Sequence, residues 1–250
     1  MTIEELLNQV RAQLKENADP KFREGLMWFF KEPVDPYGVR TPQVRQAAAF
    51  AYKELKYWPV AQRNKFLNEL WKHGKMEEGS IAVYVYRRFQ KQCGSCEFQL
   101  FERWIDRYVR NWAHCDGVAS WLIAASIENE PELIPRLLPW TASPNRWKRR
   151  ASAVSLLQEA KHGRNTEAIF RIAEKLIADP DDMVQKGVGW MLKETYPKKP
   201  RELVGFLESH KAHAPRLVLR IAAEKMSPRD RQRAMSRGKR AATQASEGRR

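Results

Sequence analysis

The sequence is poor in the residues that would tie it to an oxidising compartment, a membrane or a metal. It has three cysteines, an odd number that makes no disulfide framework. No apolar run approaches the roughly 18 residues needed to cross a bilayer. The five histidines are scattered, with no His-x3-His pair to start a zinc site. No Ser/His/Asp order and no phosphate-cradling glycine loop stands out. Strand-like alternation never lasts long enough to define a β-strand. Acidic residues are also in deficit, with 30 Asp and Glu against 45 Lys and Arg, a net charge of +15. That balance calls for an acidic partner, a nucleic acid or an anionic membrane surface. The first ten residues, MTIEELLNQV, are acidic and amphipathic, unlike a secretory signal, so a cytoplasmic protein is expected.

What is present is helical periodicity almost everywhere. IEELLNQVRAQL, VRQAAAFAYKEL, VASWLIAASI, ELIPRLLPW and ASAVSLLQEA all carry apolar residues at helical spacing. Short clusters such as DPYG, KHG and ASPN separate such segments. Three of them are related. SPNRWKRRASAVSLL (143–157), DPDDMVQKGVGWMLK (179–193) and HAPRLVLRIAAEKM (213–226) each pass from Pro through a large apolar residue to basic or polar and then small residues. Arg150 and Lys186 match at a spacing of 36, and Arg220 follows 34 later. This period predicts HEAT-like helix pairs stacked into an all-α superhelical solenoid. If successive second helices share one face, Arg149, Arg150, Lys186 and Arg220 line a basic concave groove. One repeat domain is expected over residues 1–226. Residues 227–250 carry eight basic residues and few apolar ones, which predicts a disordered basic tail.

Few stretches are candidates for chemistry. CGSC (93–96) has redox spacing but lies in a helix–loop–helix context, so a tight Gly-Ser turn is the better reading. RTPQVRQ (40–46) opens a helix, with Thr41 read as N-cap and Pro42 as first helical residue. Arg40 and Arg45 beside that N-terminus make it a phosphate site; plain capping is the alternative. NWAHCDGVAS (111–120) sets Trp112 and Asp116 four apart, on one face of any helix that runs through both. The alternative is that Asp116 caps a helix starting at Gly117 and Trp112 is core. Arg150 and Trp190 sit near equivalent repeat positions and would complete a carboxylate, a guanidinium and two indoles in one groove. A carboxylate in a phosphate-binding groove makes chemical sense where positive charge appears, as in the oxocarbenium-like state of glycosidic cleavage.

NWAHCD, RWKRRAS and MVQKGVGWMLKE, preceded by PYGVRTPQVRQ, together resemble the HEAT-repeat alkylpurine DNA glycosylases, the bacterial DNA alkylation repair enzymes of the AlkD type. The likeness runs from about Arg23 to Met226. It implies removal of N3- and N7-alkylated purines from double-stranded DNA by a monofunctional hydrolase that leaves an abasic site. It implies that Asp116 stabilises the oxocarbenium and positions water, that Trp112 and Trp190 pack on the deoxyribose, and that Arg150 holds the backbone phosphate. Phe29 stands where the family often has Tyr, with Trp28 beside it. Arg40, Thr41, Arg45, Arg149, Lys186, Lys193 and Phe29 form the expected DNA-contact set. No metal or cofactor is implied, no membrane is involved, and a monomer on the bacterial nucleoid is expected. The competing readings are a non-catalytic HEAT scaffold for distorted or branched DNA, and a protein-binding adaptor, which would show no salt-dependent DNA binding.

Overall fold

A computed structural model describes residues 1–236. Among them every regular element is a helix. The chain, expected to form one repeat domain over 1–226, divides into two compact units, Met1–Pro131 and the residues from Glu132 on.

The first unit contains α1 (Ile3–Glu16), α2 (Pro20–Phe29), α3 (Thr41–Leu55), α4 (Val60–His73), α5 (Met76–Arg87), α6 (Ser95–Arg107), α7 (Trp112–Gly117) and α8 (Ala124–Asn129). The periodicity of α1 is real: Leu6, Leu7, Val10 and Leu14 are buried, and a Thr2–Glu5 capping box closes its start. The helix α5 is the hub, packing against α3, α4 and α7. Its apolar positions are buried nearly all round, from Ile81 through Tyr86. Between α7 and α8 the chain makes one π-type turn, Val118–Ile123. The helical run expected at VASWLIAASI is therefore present but widened at its first half, a distortion that concentrates at functional sites.

Two buried glutamates at the start of α5 hold the long loop before α3. Glu77 accepts hydrogen bonds from the backbone N–H groups of Tyr37, Gly38 and Val39, each at 2.9 Å. Gly38 has φ +91°, and a Cβ there would lie 2.4 Å from the Asp19 carbonyl oxygen, so only glycine fits. Glu78 is fully buried. It accepts from Arg11 at 3.1 Å and from the Tyr37 hydroxyl at 2.8 Å, and lies 2.6 Å from His73 Nδ1. Burial, then the Glu78 carboxylate, drive the Tyr37 phenol pKa upward.

The second unit contains α9 (Arg146–Val154), α10 (Leu157–His162), α11 (Thr166–Leu176), α12 (Asp182–Thr195), α13 (Pro200–His210), α14 (Arg216–Ala222) and α15 (Pro228–Met235). The three related segments are α9, α12 and α14, and α12 packs against both of the others. Its Gly-Val-Gly makes that contact close. A Cβ on Gly187 would lie 3.1 Å from Arg150 Cγ on α9, and one on Gly189 would lie 2.8 Å from Ile221 Cβ on α14. Asp181 caps α12 through the N–H groups of Met183 and Val184.

Three expectations change. ASAVSLLQEA breaks between α9 and α10 rather than continuing as one helix. ELIPRLLPW winds as 3-10 turns, Pro131–Leu137 and Pro139–Ala142, because its prolines cannot donate to an α-helical ladder. The supposed tail contributes a helix: Ser227 caps α15, the Tyr196 hydroxyl donates to Asp230 at 2.8 Å, Arg233 pairs with Glu208 at 2.8 Å, and Ala234 is fully buried. Disorder was inferred from the scarcity of aromatic and aliphatic residues, but Ala234 is buried and Asp230 and Arg233 find partners. Residues 237–250 of that expected tail lie outside the described residues.

Candidate active site and nucleic-acid contacts

The helix α7 decides between the two readings of NWAHCD. Asn111, not Asp116, is its N-cap, its side chain accepting from His114 N–H at 2.9 Å. The helix then runs through Trp112 and Asp116, which share a face one turn apart. Capping by Asp116 is excluded, since its own N–H lies inside the helix. Both residues are half-buried. Trp112 is not simply core. It stacks on Phe30, with centroids 5.5 Å apart and planes at 22°, and meets the edge of Phe29 at 6.1 Å. Such aromatic pairs are each worth about 0.5–1.5 kcal/mol beyond burial. Phe29 remains 65% exposed, Trp28 is 90% exposed and Met27 48%. The end of α2 therefore presents three large apolar side chains to solvent, of which Phe29 lies against Trp112, and α2 itself buries none of its residues.

The buried face of α7 carries a histidine. His114 is buried, with Nε2 2.8 Å from the Met76 carbonyl oxygen and Nδ1 3.3 Å from Asn111 Nδ2. A carbonyl only accepts, so Nε2 carries the hydrogen and Nδ1 accepts from Asn111. The Trp71 ring meets the imidazole edge-on at 4.9 Å. Burial pushes the His114 pKa down to about 4, against a smaller opposing pull from the Met76 carbonyl. His114 is thus neutral and structural, and ties the start of α7 to the start of α5. Gly79 leaves the room: a Cβ there would lie 2.6 Å from Trp71 and 2.8 Å from His114.

In the second unit Arg150 is 5% exposed. Its guanidinium donates to the Met183 carbonyl on α12, the helix that carries Trp190. Trp190 is half-buried. Arg150 was expected on an open groove face. Instead most of its aliphatic stem is packed over Gly187.

The expected DNA contacts divide. Arg149 is committed elsewhere: Nε lies 2.7 Å and Nη2 3.3 Å from the Asp179 carboxylate, and Nη1 donates to the Ser143 carbonyl at 2.9 Å. The repeat pattern marked it as basic but could not show the carboxylate 30 residues on. Lys186 pairs with Asp182 at 2.9 Å and Lys193 with Glu224 at 2.9 Å. Arg40 lies over the Phe22 ring at 4.7 Å, with Asp19 at 3.5 Å. Thr41 is the first residue of α3 rather than its N-cap, which is Arg40, and no side chain caps this helix. Pro42 at the second position fixes the turn without a hydroxyl cap. Arg45 is exposed and stands over the Tyr84 ring at 5.4 Å.

Cys93, Cys96 and Cys115 are all unlinked. Cys93 is buried, its thiol pushed up to about 12 by burial and then by the Glu97 charge, which disfavours a reactive thiolate. Among the described residues no helix is long and apolar enough to cross a membrane.

The all-helical architecture, with an indole and a carboxylate one turn apart on α7, defines an all-α protein of the kind predicted from the sequence. The chain belongs to the DNA alkylation repair enzyme family, whose model matches residues 10–226. A solved structure described as a predicted DNA alkylation repair enzyme from Enterococcus faecalis superposes with a TM-score of 0.75 at 14% identity, over 85% of this chain and 98% of that one. The crystal structure of smu.31 from Streptococcus mutans UA159 gives a TM-score of 0.57 at 19% identity, over 74% of this chain and 100% of that one. At these identities the likeness concerns the fold. No curated protein sequence matches the chain at a significant level.

Proposed function

We propose that this chain is a monofunctional DNA glycosylase. It hydrolyses the N-glycosidic bond of N3- and N7-alkylated purines in double-stranded DNA and leaves an abasic site. The observation that carries the reading is the continuous helix through Trp112 and Asp116. It removes the capping explanation for the carboxylate and sets it one turn from an indole whose neighbour Phe29 is open to solvent. An alkylated purine already bears positive charge, so it leaves with the bonding electron pair as a neutral base. The deoxyribose is left oxocarbenium-like. Asp116 stabilises that cation and takes the proton of the water that adds to C1′. Trp112 packs against the sugar; on the second unit, Trp190 and Arg150 are the proposed DNA contacts. Phe29 extends the apolar surface beside Trp112. No step in this sequence calls on a metal or cofactor, and one chain suffices for it.

The test is release of free base from a duplex with one 7-methylguanine, followed as alkali-labile strand breaks under single-turnover conditions. The unsubstituted chain releases base. Asp116→Asn keeps the size of the side chain and lowers the rate roughly 10²–10³-fold, the loss of a preorganised electrostatic group. DNA affinity and melting temperature stay within error. Wild-type release by Asp116→Asn would remove the catalytic assignment and favour a DNA-binding scaffold.

A further inference from the structure

Several cations of the first unit have carboxylate partners: Arg11 is held by Glu78, Arg23 and Lys75 by Asp35, Arg40 by Asp19 and Lys72 by Glu69. Three arginines without such a partner converge on one place. Arg45 on α3, and Arg87 and Arg88 at the end of α5, pair with no carboxylate among the described residues, and they line one open cavity of about 430 Å³ with Tyr84, Ala48 and Gln90. Each guanidinium stands over an aromatic ring: Arg45 over Tyr84 at 5.4 Å, Arg87 over Trp121 at 4.4 Å, and Arg88 over Tyr52 at 5.1 Å. The floor is continuous, because Tyr84 stacks on Trp121 with centroids 5.8 Å apart.

The positions follow from helix geometry. Residues 45, 48 and 52 lie on one face of α3, and 84, 87 and 88 on one face of α5, and the two helices pack together. Trp121 comes from the π-turn that directly follows Asp116 and Gly117. An arginine at a helix C-terminus is often there to complement the helix dipole, a gain of about 0.3–1 kcal/mol. That accounts for Arg87 and Arg88 singly. It does not account for Arg45, which sits in the second turn of another helix and converges on the same cavity. Three like charges brought together without a counter-ion repel one another, and an anion relieves the repulsion. Ring faces restrain the guanidiniums while leaving their N–H edges available, so less side-chain entropy is lost on binding.

We propose that Arg45, Arg87 and Arg88 form a clamp for consecutive phosphates of a DNA strand, built on the Tyr84–Trp121 floor. The clamp rests on the DNA-binding part of the proposed function and extends it. It fixes the strand against the same run of helix that carries Asp116, so that phosphate binding at the clamp sets the register of the duplex along α7.

The experiment measures binding of an undamaged fluorescein-labelled 20-bp duplex by anisotropy across a series of KCl concentrations. Base release is not read. Arg87→Gln with Arg88→Gln lowers the magnitude of the slope of log K against log salt by about 2, one phosphate each, and weakens binding roughly ten- to a hundredfold at low salt. Lys15→Gln with Lys65→Gln removes the same charge from α1 and α4, outside the cavity, and costs less than about threefold. Trp121→Leu keeps every charge, so the slope holds while affinity falls about threefold from loss of the ring under Arg87. Melting curves confirm that each variant folds. Equal losses in the two double variants, or an unchanged slope in Arg87→Gln with Arg88→Gln, overturn the clamp and leave the glycosylase reading standing. A flat salt response by the unsubstituted chain overturns both.

Discussion

The stability of the first unit should depend on pH through one residue, His114. Its pKa is lowered from 6.5 in an exposed chain to about 4 in the fold. Above about pH 6.5 the imidazole is neutral in both states and contributes nothing to pH dependence. Between 6.5 and 4 only the unfolded chain takes up the proton, so stability falls as pH drops through that window. Below about 4 both states are protonated and the loss is complete. The full difference is on the order of 3 kcal/mol, and about 2 kcal/mol of it has gone by pH 5. Asp19, Asp35 and Glu159 have carboxyl pKa values held low, the first by the Phe22 backbone N–H, the second by Lys75 and the third by Arg164 against the opposing effect of burial. Whatever stability they add is lost only at lower pH. The assay is urea unfolding at pH 7.5 and pH 5.0, for the unsubstituted chain and for His114→Gln. Gln can still donate to the Met76 carbonyl but does not titrate. The variant starts less stable, yet it should lose about 2 kcal/mol less between the two pH values than the parent does. Equal losses in both proteins would show that His114 is not buried in its neutral form. The α7 anchor drawn from Asn111, His114 and Met76 would then be wrong.

Arg150→Met keeps the buried stem and removes the guanidinium. It should weaken binding to methylated duplex at least about tenfold by anisotropy, with a smaller fall in melting temperature than Arg150→Ala; Met binding as tightly as Arg would remove the phosphate role. Ending the chain at Met226 deletes α15 together with the Tyr196–Asp230 and Arg233–Glu208 contacts and buried Ala234. Calorimetry should show a clear drop in melting temperature, equivalent to about 1–3 kcal/mol; an unchanged melting temperature would return the segment to the status of a tail.

The helical class and the repeat were legible because both rest on local periodicity. The 36-residue interval from Arg150 to Lys186 fell on α9 and α12, which do pack together, and α14 follows on the other side. Trp112 and Asp116 were legible as a pair for the same reason. What a single sequence does not carry is the long-range partner. Nothing near Arg149 marks Asp179 as its counter-ion, and nothing near Glu77 marks the Tyr37–Val39 loop as its ligand. The burial of His114 depends on Gly79 and Trp71, some 35 to 43 residues earlier. The Thr41 cap failed by one residue because Pro is tolerated at either of the first two helical positions. The helix at Pro228–Met235 was missed because a composition poor in apolar residues does not show which charges find partners.

That last point bears on how a charge of +15 should be read. Net charge counts every cation equally, but their availability to phosphate differs by several kcal/mol. Arg149 and Asp179 have side chains only 16% and 5% exposed. Separating them would leave a buried carboxylate uncompensated, a cost of about 3–5 kcal/mol, so Arg149 is not free to take a phosphate. Lys186 and Asp182 are 37% and 43% exposed and one helical turn apart. Such surface pairs are worth about 0–1 kcal/mol, so Lys186 can exchange its carboxylate for a DNA phosphate at little cost. Arg45, Arg87 and Arg88 have no carboxylate to give up among the described residues. Under the proposed function, the candidate DNA-binding cations are therefore ranked by what each must release first, and the sequence repeat, which ranked Arg149 with Lys186, is blind to that order. Substituting Lys186 should reduce the salt slope by about 1. Substituting Arg149 should act on the melting temperature instead, because its work is done within the fold.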